Sequence, residues 1–159
     1  MIHMPGTLII ATVGKLRTSH WLEAQMDYVE RLQRYIDIRL VEVRDVVGKG
    51  APDHVAIQEE GQRLLEAGSE AHRVIALDEN GKHATSEGFS RYLQRRLEIY
   101  GNLAFLIGGP VGLSNEVLEK SDEHLALSMM TLPHELARIL LLEQIYRAMT
   151  ILSGQSYHK

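Results

Sequence analysis

Short apolar runs alternating with segments of helical spacing constrain the fold of this chain more than any other feature. Residues 8–13 form the first run, nearly unbroken up to Gly14, as expected of a strand buried on both faces. Leu22, Met26, Val29 and Leu32 then recur at helical spacing. Ile38, Leu40, Val41 and Val43 predict a second strand. After a loop with Gly48, Lys49, Gly50 and Pro52, a second helix holds Val55, Ile57, Leu64 and Leu65. Residues 74–77 predict a third strand, closed by a turn at Glu79-Asn80-Gly81-Lys82. Ser86 is expected to cap a third helix with Phe89, Tyr92, Leu93 and Leu97 on one face. Residues 103–107 predict a fourth strand. A short helix over 115–120 capped by Ser114, a short strand over 125–128 and a long helix from Pro133 to Gly154 complete the pattern. Such alternation builds an α/β fold with a mainly parallel sheet flanked by helices, here a single domain over residues 1–159. Ligands in these folds bind beyond the carboxyl ends of the strands.

Composition narrows the chemistry. With 45% hydrophobic and 24% charged residues, 159 residues are enough for one buried core. There is no cysteine, hence neither a disulfide nor a thiolate metal site. The eight histidines show no ligand spacing such as His-Glu-x-x-His, so no metal is expected. No apolar stretch approaches the roughly 20 residues of a membrane helix, and no secretory signal is expected in residues 1–6. The net charge of -4 counts mildly against a nucleic-acid partner, while leaving room for a local basic patch.

Gly108-Gly109-Pro110-Val111-Gly112 follows the fourth strand. Glycines there either make a tight strand-to-helix turn or let backbone approach a ligand. The spacing is not the dinucleotide fingerprint, and no Gly-Lys-Ser/Thr follows, so NAD and ATP lose support. Residues 127–134, Leu-Ser-Met-Met-Thr-Leu-Pro-His, are nearly uncharged. Either Met129, Met130 and Leu132 fill core space, or the segment offers an apolar wall and backbone groups to an adenine ring. Arg138 and Arg147, nine positions apart, are expected on similar faces of the last helix. Each is a partner for Glu135 or Glu143, or a phosphate contact. The end, Ser156-Tyr157-His158-Lys159, is either a frayed terminus of little weight in stability or a set of groups that stack on bases and bind phosphate.

Four segments in series are more specific than any one alone. Leu106-Ile107-Gly108-Gly109-Pro110-Val111-Gly112-Leu113, then Leu127-Ser128-Met129-Met130-Thr131-Leu132-Pro133-His134, then Glu143-Gln144-Ile145-Tyr146-Arg147-Ala148, then Tyr157-His158-Lys159 resemble the RlmH (YbeA-like) family of the SPOUT superfamily. Ala11-Thr12-Val13-Gly14-Lys15-Leu16 and Ala76-Leu77-Asp78-Glu79-Asn80-Gly81-Lys82 also fit, so the likeness covers almost the whole chain. The resemblance implies a parallel sheet whose C-terminal part threads a trefoil knot. It implies a homodimer, no metal, and S-adenosyl-L-methionine cradled by the knot loops. Carried over by position, the cofactor contacts fall on Leu77, Gly108, Leu127, Ser128, Met129, Met130, Thr131 and Leu132.

The activity so implied is methylation of N3 of a pseudouridine in 23S ribosomal RNA, on the assembled ribosome, in the cytoplasm. N3 must lose its proton, so a base or anion-stabilising groups are required. His158 is expected as base or hydrogen-bond partner, Tyr157 as the group orienting the target base, and Arg147 as the contact to phosphate or anion. The tail is expected to act on the partner subunit's cofactor. Leu136, Ile139, Leu140, Ile145, Ala148 and Met149 give the last helix apolar surface for that second subunit. Gly108→Val is expected to abolish cofactor binding in a folded protein. Val111 stands where the family often has a polar residue, and Ser156 where proline is common. The alternative is a non-catalytic RNA- or ribosome-binding module that keeps the fold, which would require a blocked pocket.

Overall fold

Residues 3–159 are described by the computed structural model; Met1 and Ile2, part of the opening segment read for a signal, lie outside it. The chain runs β1 (Thr7–Val13), α1 (Ser19–Leu32), β2 (Asp37–Val43), α2 (Asp53–Ala67), β3 (Arg73–Lys82), α3 (Ser86–Tyr100), β4 (Asn102–Ile107), α4 (Asn115–Lys120), β5 (Glu123–Leu125) and α5 (His134–Leu152). The strands form one sheet in the order β2-β1-β4-β3-β5, every neighbouring pair parallel.

The central strands are apolar throughout because the sheet is covered on both sides. Along β1, Leu8 and Ile10 face a core shared with Leu141, Ile145 and Met149 of α5. Ile9, Ala11 and Val13 face the opposite core, with Leu64 of α2 and Val117 of α4. In β4, Leu103, Phe105 and Ile107 join the first core and Ala104 and Leu106 the second. Each fully buried side chain of this size contributes about 1.5–3 kcal/mol. The apolar residues of α5 mostly serve this purpose: Ile139, Ile145, Ala148 and Met149 are buried inside the chain, which leaves half-buried Leu136 and Leu140 as the part of the expected surface open to a second subunit.

Three local predictions give way to tertiary context. Residues 79–82 are not a turn but the second half of β3. Gly81 lies so close to β5 that a Cβ would come within 2.8 Å of the His124 and Leu125 backbone. The register shifts between Leu77 and Lys82 opposite Leu125, as at a bulge, so pairing with β5 overrides the turn chemistry. Thr85, not Ser86, caps α3: its side chain accepts from the Gly88 N–H at 3.0 Å, while the Ser86 hydroxyl donates to Gln144 at 2.7 Å. β5 ends at Leu125 rather than reaching Ser128, which leaves the segment after it free of the ladder. The described residues before β1 are tied into the fold. The Met4 N–H donates to the Tyr35 carbonyl at 2.6 Å, and Gly6, at φ +108°, passes so close to the Gly101 carbonyl that a Cβ would collide with it.

Candidate active site

β3, β4 and β5 end side by side, and the loops beyond their carboxyl ends enclose a cavity of about 780 Å³. The first wall is the glycine loop, residues 108–112. It folds on itself: the Gly112 N–H donates to the Gly109 carbonyl at 3.1 Å, and Gly112 takes φ +86°. A Cβ on Gly108 would stand 2.7 Å from the Gly112 carbonyl carbon. A valine there therefore strikes the loop's own backbone before any ligand, and Gly108→Val disrupts local structure rather than binding alone. Ser114 closes the loop by accepting from the Val117 N–H at 3.2 Å, which starts α4.

The second wall is the segment after β5. The Ser128 hydroxyl accepts from the Met130 N–H at 2.9 Å, a local turn of the kind serine favours. Thr131 donates to the Glu79 carboxylate at 3.2 Å across the mouth. Leu77, Gly108, Leu127, Ser128, Met130, Thr131 and Leu132 all line the cavity. Met129 does not; it is 89% exposed, and Met130 is 78% exposed, so neither is core. Sequence reasoning passed over Asp78, Glu79, Leu118 and Ala137, which also line it. The carboxylates carry its charge: no Lys or Arg is among the lining residues. Glu79 was hidden by its assignment to a turn.

Arg147, Tyr157 and His158 are at the other end of α5. Thirteen residues separate His134, at the cavity, from Arg147, about 20 Å along a helix. Arg147 pairs with Glu143 one turn earlier at 2.7 Å and lies over the Tyr157 ring, 5.0 Å from its centroid. Tyr157 packs edge-on against Tyr146 with centroids 4.7 Å apart and donates to Glu143 at 3.3 Å. Gln155 accepts from the Tyr35 hydroxyl at 2.8 Å. The tail is docked on its own chain, not frayed. Burial, with Tyr28 and Glu143 adding to it, pushes the Tyr157 phenol up to about 12, so at neutral pH it is a hydrogen-bond donor and not a base. The Nδ1 of His158 is buried without a partner. One chain thus packs Arg147 and Tyr157 together at the far end of α5, away from the cavity.

Arg138 departs from its expected place. Nine residues are two and a half turns, so Arg138 and Arg147 leave α5 on opposite sides. Arg138 is 2% exposed and donates to Glu42 at 2.9 Å and to the Val13 and Gly14 carbonyls at 3.1 and 2.9 Å. Its partner is Glu42 of β2 rather than Glu135 or Glu143, and the pair fastens α5 to the exits of β1 and β2.

An open parallel sheet with its cavity beyond the strand ends defines a ligand-binding α/β protein. A family described as predicted SPOUT methyltransferases matches residues 7–158. The ribosomal RNA large subunit methyltransferase H of Anaeromyxobacter sp. (strain Fw109-5) is 45% identical over 152 residues, 96% of this chain and 99% of its own. The protein of that name from Carboxydothermus hydrogenoformans is 39% identical over 161 residues, again 96% and 99%. A probable methylase family protein from Haemophilus influenzae Rd KW20 superposes with a TM-score of 0.58 at 15% identity, over 96% of this chain and 70% of that one. A probable methyltransferase from Bordetella pertussis Tohama I gives 0.56 at 15% identity, over 91% and 96%. The chain belongs to the SPOUT methyltransferase family, in the group of the ribosomal RNA large subunit methyltransferase H proteins. No helix among the described residues is long and apolar enough to cross a membrane.

Proposed function

We propose that this protein is a cytoplasmic homodimer that transfers a methyl group from S-adenosyl-L-methionine to N3 of a pseudouridine in 23S ribosomal RNA, on the assembled ribosome. We read residues 1–159 as one SPOUT domain with a trefoil knot in its C-terminal part. The chain crosses from α4 on one face of the sheet, around β5 at the edge, to α5 on the other, which suits such a knot.

The cavity carries the functional reading. Its walls of Ile107, Leu118, Leu125 and Leu132 are apolar enough for an adenine ring, and its loops offer backbone groups to the ring's edge. Its carboxylates, Asp78 and Glu79, suit a ligand with a sulfonium and an ammonium; a dinucleotide or triphosphate would meet repulsion and no cation. When bound, the sulfonium supplies a methyl group already activated for in-line attack, so this chain's residues have mainly to position and to manage a proton. Leu77, Gly108, Leu127, Ser128, Met130, Thr131 and Leu132 hold the donor. Met129 is exposed and outside the cavity of its own chain, and joins this set only through its place in the 127–132 segment.

The tail residues serve the acceptor. Tyr157, protonated, donates to or stacks on the target base; Arg147 faces the anion or a phosphate; His158 takes the N3 proton. Because about 20 Å of α5 separates them from the cavity of their own chain, they serve the cavity of a second copy. Leu22 and Met26 of α1, 39% and 62% exposed, with Met129 and Met130 beside the cavity, are apolar surface suited to that second copy. A stable dimer buries on the order of 1,200 Å² or more. A methyl-transfer assay on ribosomes lacking the modification, run beside free 23S RNA and coupled to a cofactor titration, tests the reading. Cofactor binding with transfer to one pseudouridine supports it. Cofactor binding without transfer to any RNA would refute it.

A further inference from the structure

The carboxyl end of the sheet is acidic on one side and basic on the other. Asp78 and Glu79 sit at the β3 side. At the opposite side Lys15 and Arg17 follow β1, and Arg44 and Lys49 follow β2. Arg63 of α2 donates to the Arg44 carbonyl at 3.0 Å. Lys49 is paired with Asp45 at 3.2 Å. Lys15, Arg17 and Arg44 are exposed, and none of them forms a salt bridge among the described residues. Arg34, Lys82, Arg91 and Arg95 are also exposed and outside the salt bridges, so what sets Lys15, Arg17 and Arg44 apart is that they gather at the carboxyl ends of two neighbouring strands. A local excess of cations in a chain of net charge -4 calls for an anionic partner.

These two loops are joined to each other and to the glycine loop. The Gly14 N–H donates to the Val43 carbonyl at 2.7 Å. Glu60, 2% exposed, accepts from the Val46 and Val47 N–H groups at 2.8 and 3.0 Å with one carboxylate oxygen. Its other oxygen is buried without a partner and lies against the cavity loop, 3.4 Å from where a Cβ on Gly109 would be. β1 and β4 are neighbours whose connections leave to opposite faces, which makes their carboxyl ends a topological switch point. The basic loops therefore stand at a fixed position beside the cavity. Next to them, exposed His20 and half-buried Trp21 hold their rings 4.8 Å apart, suited to stacking on unpaired bases.

We infer that the β1–α1 and β2–α2 loops are the phosphate-docking surface for the RNA, with Lys15, Arg17 and Arg44 on backbone phosphates while the target base enters the cavity from this side. The inference rests on the RNA-methylating reading above. The acidic β3 side turns phosphates away and so fixes the direction of approach.

The test compares R17Q/R44Q with a charge-matched control, R91Q/R95Q, on exposed positions of α3. Binding of a 23S RNA fragment is measured against salt, together with cofactor affinity and methyl transfer. Each lost phosphate contact removes roughly 0.7–0.9 from the slope of log K against log salt. R17Q/R44Q should therefore lower the slope by about 1.5, and we expect it to raise KM for RNA by about tenfold or more. Cofactor affinity should stay within about twofold, and the control should resemble wild type. An unchanged slope, an equal effect in the control, or loss of cofactor binding in R17Q/R44Q would overturn the inference while a wild type active on RNA left the functional reading standing. A wild type that binds cofactor and methylates no RNA overturns both.

Discussion

α5 begins at a cavity and ends at a side-chain cluster, and the two ends are made differently. At the first turn the site is mostly backbone: a glycine loop bonded to itself and a serine-held turn, with leucines behind them. At the last turn the site is all side chains, with Tyr146, Arg147, Glu143 and Tyr157 packed on one another. The first end is shaped to receive a ligand. The second is complete without one, apart from the unpartnered His158 Nδ1. On the proposed reading, binding and proton handling are separate inventories held apart by the length of one helix, and a second chain joins them.

The harshest way to break this comparison is to remove one end. Deleting Tyr157 to Lys159 should lower methyl transfer by roughly 10³-fold or more, because base, phenol and cation-supporting contacts go together. Cofactor affinity should change less than about threefold. Since Tyr157 is docked, the melting temperature should fall by roughly 2–6 °C, the size expected for losing about 1–2 kcal/mol in a chain of this length. A calorimetric scan showing no shift would return the tail to a frayed end.

The opposite end can be blocked from the helix. Ala137 lines the cavity from α5 and is not part of the glycine loop, so Ala137→Trp fills the space more cleanly than Gly108→Val. Cofactor affinity should fall by roughly 100-fold or more in a titration, with circular dichroism unchanged and the tail still docked. Retained affinity would mean that the cavity is not the donor site.

A smaller effect sharpens the contrast by loosening only the strand beside the cavity. Glu123 starts β5 and is held by Arg96 at 2.6 Å and Arg73 at 2.9 Å. Burial alone would raise its carboxyl, but the two guanidinium groups outweigh it and hold it at about 2. The folded value lies below the unfolded one, so this stabilisation is present above about pH 4.5 and is lost as pH falls toward 2. Glu123→Gln should cost about 1–3 kcal/mol at pH 7 in denaturant titrations. The gap to wild type should narrow steadily between pH 5 and pH 2. A gap independent of pH would remove the ion pairs from the account.

Most of the fold was legible because its strands are buried on both faces: β1 and β4 could be read as apolar runs with no other information. What was not legible depended on neighbours in space. Glu79-Asn80-Gly81-Lys82 has turn chemistry, yet pairing with β5 draws it into a strand, and no local signal records that pairing. Cavity-lining residues 108, 127, 128 and 130–132 were reached through resemblance, whereas Asp78, Glu79 and Ala137 enter only when β3 and α5 converge. Arg138 looked like a local salt bridge because its distant partner, Glu42, is not visible from the helix. The docking of Tyr157 was equally invisible, since it needs Tyr146 and Glu143 on a formed helix.

The central claim, that one working site takes the cavity of one chain and the tail of another, is tested by complementation. A subunit lacking Tyr157 to Lys159 is mixed with a subunit carrying Ala137→Trp, after each is shown inactive alone. If cavity and tail meet across the interface, each mixed dimer has one complete site, and random mixing should restore about a quarter of wild-type transfer. Transfer that stays at the level of the separate variants, although mass measurement shows mixed dimers forming, would contradict the claim and confine the chemistry to a single chain.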